Sequence, residues 1–293
     1  MHDDQFLAEE FEGHRTHLRA VAYRMLGSLT DADDAVQEAW LRLARTDTSD
    51  VGNLGGWLTT VVGRVCLDML RSRKTRSEEP LEADHLPDPV ITSESTLDPE
   101  HEALLADSVS LALLVVLESL SPAERLAFVL HDMFALPYEQ IAPIVDRTPQ
   151  TAKKLASQAR RRVQGSSPGP DSNRAGHRRV VDAFLTAARG GDFEELLRLL
   201  DPDVVLRADS GAAMRVIRGA AAVAGQAETF QRMATLCTIH PALVNDCAGL
   251  VNTVEGAPFS VLAFTVAGDR ITAIDILSDP NRLAHLDLTA VLG

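Results

Sequence analysis

The residues with the most chemical content in this chain lie in 30–45, TDADDAVQEAWLRLAR. Asp34, Gln37, Glu38 and Leu41 are spaced three to four apart, so a helix would line them up on one face. Their chemistry is recognition: two carboxylates and an amide set around an apolar residue. An acidic stripe is commonly a solvated helix face. Leu41 in its middle suits a partner surface better than water. A second group is basic. Arg64, Arg71, Arg73, Lys74 and Arg76 lie in or just after WLTTVVGRVCLDMLRSRKTR, and Arg147, Lys153, Lys154, Arg160, Arg161 and Arg162 lie in DRTPQTAKKLASQARRRV. Each cluster alone reads as a charged helix face or as a phosphate-contact surface, and the pairing of the two favours the second. A third group could do acid–base work: Asp209, His240 and Asp275, none of which has a partner at a diagnostic sequence spacing.

These side chains need elements to position them. In 30–45, Thr30 reads as an N-cap, and Asp31, Asp33 and Asp34 place negative charge where the helix dipole favours it. Val36, Ala39, Trp40 and Leu43 recur at helical spacing and would face a core. In the second basic cluster, Leu136-Pro137-Tyr138 opens a short helix through about Val145, and Asp146-Arg147 makes a turn. Thr148 then caps a second helix with Pro149 at its first position, where a missing N–H costs nothing. That helix runs to about Val163 with Leu155, Ala159 and Val163 inside. Gln150, Thr151, Lys153, Lys154, Ser157 and Gln158 are left outside. This is the helix-turn-helix layout, whose second helix enters the major groove by its N-terminal end. Pro143 should kink or shorten the first helix of the pair.

Composition bounds the rest. A chain of 293 residues holds two or three small domains, and 45% apolar residues suffice for real cores. No apolar run is long enough to cross a membrane. The acidic start, MHDDQFLAEEFEGH, is no signal peptide. Cys66, Cys237 and Cys247 are odd in number and widely spaced, which fits a reducing cytoplasm and gives neither a disulfide framework nor a zinc pattern. No metal site or cofactor is expected. The net charge of -14 argues against a general nucleic-acid coating protein.

Along the chain, residues 5–76 are helical by pattern, with turn signals at Gly27-Ser28 and around Asp47–Gly56. Residues 77–100 carry four prolines and many acids, cannot sustain a helix, and read as an extended linker. Residues 101–164 are helical again. Residues 165–173, GSSPGPDSN, form a short flexible linker. Residues 174–293 change character: helical stretches over about 174–189 and 192–200, then β-rich runs such as VVLRA, RVIRG, LVNTV, FSVLAFTV and ITAIDIL between turn residues. The fold class expected is multidomain: two all-α domains followed by an α+β domain. No internal repeat is present.

Four blocks at the front carry a resemblance. FEGHRTHLRAVAYRMLGS, the DADDAVQEAW helix, GWLTTVVGRVCLDMLRSR, and SLSPAERLAFVLHDMFALPYEQIAPIV with TPQTAKKLASQARRRV occur in the order and spacing of bacterial extracytoplasmic-function sigma factors. The resemblance implies a promoter-recognition subunit of RNA polymerase, with sigma region 2 over 5–76 and a region 4 helix-turn-helix over 101–164. It implies that Asp34, Gln37, Glu38 and Leu41 grip the clamp coiled coil of the largest polymerase subunit, and that the flap of the second-largest is a further contact. It implies capture of the minus-10 strand by the loop Asp47–Gly56, with Thr48, Ser49, Asp50 and Asn53 at a flipped base and Arg64, Arg71, Arg73 and Lys74 along the strand. Many relatives have Asn where this chain has Arg64, so base preference does not carry over there. The minus-35 duplex would be read by Gln150, Thr151, Lys153, Lys154, Ser157, Arg160 and Arg161. In the acidic linker, Glu78, Glu79, Glu82, Asp84 and Asp88 either imitate a nucleic-acid backbone in the polymerase cleft or form a solubilising tether.

The tail resembles the SnoaL-like branch of the NTF2-like cone fold, which in some sigma factors of this group regulates activity. One tail motif, DGGGK-like, survives only as Asp209-Ser210-Gly211-Ala212-Ala213. The other, NPDKL-like, is better kept as Asp279, Pro280, Asn281, Arg282 and Leu283, and Asp279 before Pro280 would also cap a short turn. Three function classes accommodate these features: a sigma factor with a regulatory tail, a stand-alone helix-turn-helix regulator sensing a ligand through the cone, and a cyclase-type enzyme fused to a DNA-binding module. Only the first explains the Asp34/Gln37/Glu38/Leu41 stripe. The expected partners are core polymerase, promoter DNA and an unidentified small ligand of the cone. The free protein is expected to be a cytoplasmic monomer without membrane contact.

Overall fold

The computed structural model describes residues 2–46, 51–76, 85–94, 109–166 and 174–293. They form two compact units that do not follow chain order. One takes its described residues from 2–76 and 114–166, the other from 85–113 and 174–293. No helix among the described residues is long and apolar enough to cross a membrane.

In the first unit α1 (His2–Leu26), α2 (Leu29–Leu43) and α3 (Leu54–Arg76) pack together. Gly27, at φ +70°, breaks the chain between α1 and α2, where only glycine turns without strain. The cap of α2 is Ser28, not Thr30: its hydroxyl accepts from the Asp31 N–H at 3.3 Å, and the helix begins one residue before Thr30. Ala32, Ala35, Val36, Ala39 and Leu43 are buried. Trp40 is only half-buried and lies on Phe11, ring centroids 5.1 Å apart.

The helices of residues 114–166 pack onto the same core. They are the larger part of α4 (Leu111–Glu118), α5 (Pro122–Phe128) continuing into a π-type turn (Val129–Met133), α6 (Tyr138–Ile141) and α7 (Pro149–Ser166). Ser121 and Glu124 form a reciprocal capping box at the start of α5. Arg125 is buried and donates to the carbonyls of Leu117 (2.7 Å) and Met25 (2.8 Å). It thereby ties α4, α5 and α1 together. Burial pulls its guanidinium down to about 10. Gly63 of α3 lies against Leu130, where an added Cβ would come within 3.2 Å of that side chain.

The second unit is a seven-stranded sheet in the order β1-β4-β5-β6-β7-β2-β3. Its elements are β1 (Ile91–Thr92), α8 (Arg174–Gly190), α9 (Phe193–Leu199), β2 (Leu200–Asp209), β3 (Met214–Arg218), α10 (Ala220–Ala224), α11 (Ala227–Leu236), β4 (Thr238–Val244), β5 (Cys247–Val254), β6 (Ala257–Ala267), β7 (Arg270–Leu277), α12 (Pro280–Leu283) and α13 (Thr289–Leu292). Every pair is antiparallel except β2 with β7. One face, through Leu206, Ala248, Leu250, Phe264 and Ile274, packs on Val181, Phe184 and Ala188 of α8 and Leu196 of α9. Phe184 meets Phe230 and Phe264 edge-on at 5.6 Å each.

The pattern expected α8, α9 and five of the strands. It did not assign α10 and α11, which occupy AAAVAGQAETFQRMATL. Small residues and a glycine interrupt the apolar periodicity there, and packing on the sheet decides the helices instead.

Candidate functional site

On α2 the expected stripe stands clear of the core. Asp34 and Gln37 are exposed, Leu41 is 42% exposed, and Glu38 is half-buried and bonded to Arg42 at 2.9 Å. The neighbouring acids are used internally. Asp33 pairs with Arg19 of α1 at 2.7 Å, and Asp31 pairs with Arg73 of α3. The separation explains why Asp34 is available and the other two are not.

The single-strand candidates are less uniform. Thr48, Ser49, Asp50, Glu78, Glu79, Glu82, Asp84 and the side chain of Lys74 lie outside the described residues. Asn53 caps α3, its Oδ1 accepting from the Gly56 N–H at 2.9 Å. Arg64 is exposed and donates to the Pro143 carbonyl at 3.4 Å. Arg71 is exposed. Arg73 is half-buried and also reaches the Leu26 carbonyl at 3.5 Å, so it fastens α3 to α1 and α2.

The helical pair forms as expected around its turn. Asp146 sits at φ +55°. Thr148 Oγ1 accepts from the Thr151 N–H at 3.3 Å and caps α7. α6 ends at Ile141, two residues before Pro143, as proline requires. The inner face of α7 differs from the expectation. Ala152, Ala156 and Ala159 are buried, while Leu155 and Val163 are half-buried, because the helix lies close against α5 and only alanine fits. Gln150, Lys153 and Lys154 are exposed at the N-terminal half, with Thr151 and Ser157 half-buried beside them. Further along, Arg160 bonds Asp132 (2.8 Å from Nε) and Arg162 bonds Glu124 (3.1 Å). The hydrogen bond to Asp132 raises Arg160 above its usual range. Arg161 is exposed, its Nε on the Ser157 carbonyl at 3.3 Å.

In the second unit the two tail motifs meet, and they close on the linker. Asp209 ends β2 fully buried. Its carboxylate accepts from the N–H groups of Leu86 (2.9 Å) and Gly211 (3.0 Å), from His85 Nδ1 (3.2 Å), and from Arg282 Nη1 (2.7 Å). The other arm of Arg282 holds Asp88 at 2.5 Å and the Leu86 carbonyl at 2.6 Å. Burial alone would raise the Asp209 carboxyl, but the N–H donors of Gly211 and Leu86, with His85, hold it below the usual carboxylate range. Asp279 caps α12 through the Asn281 N–H at 2.9 Å, and a Cβ at Gly211 (φ +84°) would strike the Asp279 carboxylate at 2.7 Å. Beyond the clasp the linker joins the sheet. Asn245 Oδ1 accepts from the Val90 N–H at 3.0 Å, and Ile91–Thr92 pair antiparallel with β4 as its edge strand. Asp88 was read in the sequence only as one of the linker acids, and here it is paired with Arg282; Asn245 carried no sequence signal.

The acid–base candidates do not face the helix-packed side of the sheet. Register places His240 and Asp209 in one row with Val251, Val261 and Leu277, and Asp275 in the next with Arg207, Ala263 and Gly249. Both rows alternate with the core residues, so they face away from α8 and α9. Each candidate is held structurally: Asp275 by Arg207 at 2.8 Å, and His240 by Thr253 at 3.0 Å. Burial pushes the Asp275 carboxyl up and Arg207 pulls it back. No group of three or more His, Cys, Asp or Glu that could hold a metal occurs among the described residues.

The described residues thus combine a three-helix module with an exposed acidic-apolar stripe, a helix-turn-helix on the same core, and an appended domain built on a seven-stranded sheet. The comparisons agree. Residues 11–76 match Sigma-70 region 2 and residues 110–163 match Sigma-70, region 4. The chain is 37% identical over 278 residues to the "Probable ECF RNA polymerase sigma factor SigI" of Mycobacterium tuberculosis, covering 94% of each. It is 41% identical over 218 residues to the ECF RNA polymerase sigma factor SigJ of the same organism, covering 72% of this chain and 68% of SigJ. The crystal structure of SigJ superposes with a TM-score of 0.75 at 33% identity, over 96% of this chain and 99% of that one. The chain belongs to the extracytoplasmic-function (ECF) sigma factors of the sigma-70 family. It is a transcription initiation factor, not an enzyme: it binds core RNA polymerase and promoter DNA.

Proposed function

We propose that Asp34, Gln37, Glu38 and Leu41 dock on the clamp coiled coil of the largest polymerase subunit. The loop before α3, with Arg64 and Arg71, takes the minus-10 strand, and the N-terminal half of α7 reads the minus-35 duplex. A leucine 42% exposed amid polar residues, on a helix whose opposite side is fully buried, is the observation that carries the polymerase assignment. For the minus-35 element, exposed Gln150 and Lys153 suit base edges, and Arg161 suits phosphate. Lys153→Ala should flatten the preference in a panel of minus-35 mutant promoters, by about 1–3 kcal/mol at the base it contacts. Arg161→Ala should weaken all sites alike and reduce the salt dependence. Equal weakening everywhere by both variants would mean that Lys153 touches only phosphate.

The tail acts as a built-in regulator by controlling the segment between the two sigma modules. What supports this is the clasp, in which Asp209 and Arg282 hold residues 85–88, followed by strand addition at 91–92. Truncation after Asn173 removes every tail group that holds this segment. Truncation after Ser278 removes Arg282 but keeps β4. In reconstituted promoter-dependent transcription, the first should change output severalfold and the second should reproduce part of that change. If both transcribe like the full chain, the tail does not regulate this activity.

A further inference from the structure

We propose that β3, an edge of the second unit's sheet, takes up an extended acidic segment of a partner protein as an added strand. An acid–apolar–apolar–acid run of the partner lies against Arg218, Ile217, Val216 and Arg215. The surface shares no residue with the clasp.

The first observation is the state of the edge. Among the described residues β3 pairs with β2 alone. The Gly219 N–H donates to the Val204 carbonyl at 2.8 Å, which fixes the phase of the antiparallel ladder. Ile217 and Arg215 therefore turn their backbone groups toward β2, and Arg218, Val216 and Met214 turn theirs outward. An outward row of N–H and C=O groups is a template for another strand. Side chains alternate, so Arg218 and Val216 stand on one face of the sheet, and Ile217 and Arg215 on the other. Val216 is 43% exposed, and both arginines are exposed. Arg215 donates to a neutral amide oxygen, Gln226 Oε1, at 3.2 Å.

The second observation names the occupant. The opposite edge of the same sheet already carries an extended segment of this kind. Ile91–Thr92 add to β4, and the acids on either side of them, Asp88 and Glu94, are held by Arg282 and Arg178. β3 offers the same two ingredients, a strand edge and flanking arginines. In a chain of net charge -14, its five residues carry two positive charges and no acid, so charge complementarity selects an acidic segment. A second copy of this chain fits less well. Charged residues on an edge discourage self-pairing, and two such edges would gather four arginines. Asp or Glu opposite Arg218 and Arg215, with apolar residues opposite Ile217 and Val216, are the pairs that cross-strand contacts favour. The run reads the same in both directions, so it suits a strand of either sense.

The test uses two labelled, end-capped peptides, Thr-Glu-Val-Val-Glu-Thr and its counterpart with Lys for both Glu, titrated with the full-length protein by fluorescence anisotropy. The wild type should bind the Glu peptide about tenfold more tightly, as two cross-strand charge pairs turned from attractive to repulsive allow. Arg215→Glu combined with Arg218→Glu should reverse the preference. Val216→Pro should bind neither peptide while keeping the wild-type thermal transition, because the N–H it removes points out of the sheet. If that variant fails to fold, the Glu peptide N-methylated at both valines takes its place and should not bind the wild type. Absence of saturable Glu-peptide binding by the wild type overturns the proposal. So does a preference unchanged by the arginine variants. Binding that survives Val216→Pro or N-methylation also overturns it, since charge alone then attracts the peptide. A wild-type dimer in sedimentation that Val216→Pro abolishes would give the edge to a second copy instead.

Discussion

The double variant Gln37→Ala, Leu41→Glu is expected to lose core polymerase binding while its helical circular dichroism stays that of the wild type. Both positions are exposed on α2, and neither contributes to the buried set Ala32, Ala35, Val36, Ala39 and Leu43, so the fold has no reason to respond. At the interface the change is larger than a truncation. It removes an apolar anchor and places a carboxylate where Leu41 would be desolvated, beside Glu38 and Asp34. Central anchors are worth about 2 kcal/mol or more, which is roughly a thirtyfold loss of affinity. Titration of core polymerase with labelled protein measures it. Wild-type affinity in the double variant would remove these residues from the interface.

Arg282→Met is expected to give the largest stability effect. Among the described residues, Arg282 is the one guanidinium on the Asp209 carboxylate, and Asp209 is fully buried. Deleting one partner of a buried pair typically costs about 3–5 kcal/mol, because the remaining charge stays desolvated. The transition of the second unit in chemical denaturation should move accordingly, and the backbone between His85 and Thr92 should become accessible to protease. The clasp also has a pH signature. The Asp209 carboxyl titrates lower in the folded chain than in the unfolded one. Its contribution is therefore complete above the unfolded carboxylate value of about 4 and is lost as pH falls through the folded value. Stability measured as wild type minus Asp209→Asn should be flat near neutrality and shrink below about pH 4. A difference that grows on acidification would place the charge on another group.

Much of the front of the chain was readable because its signals are local. Apolar residues at helical spacing, Thr148-Pro149 at the head of a helix and the Gly27-Ser28 break each act within a few residues of themselves. The family likeness rests on the same segments. Local reasoning failed where distance along the chain mattered. Thr30 and Ser28 are both acceptable caps by type, and only the backbone geometry selected Ser28. The basic residues toward the end of α3 were indistinguishable in sequence, yet Arg73 faces Asp31 and is consumed by that ion pair. On α7 the larger Leu155 looked like the inside residue, but the close approach to α5 admits alanine.

The sequence by itself determined the order of modules, the α2 stripe, the helix-turn-helix and the sheet-rich tail. Each of these is written in period, caps and turns, and each forms from contacts close in the chain. Only the tertiary structure decided what the tail motifs do. Asp209, Arg282 and Asp88 are separated by scores of residues, and none carries a periodicity or a neighbour that announces the others. They become a site because β2 and α12 end beside the same extended linker, where a buried carboxylate must find its donors. The acid–base candidates were settled in the same way. Strand register, which a sequence without its partner strands does not contain, turned Asp209, His240 and Asp275 away from the helix-packed face.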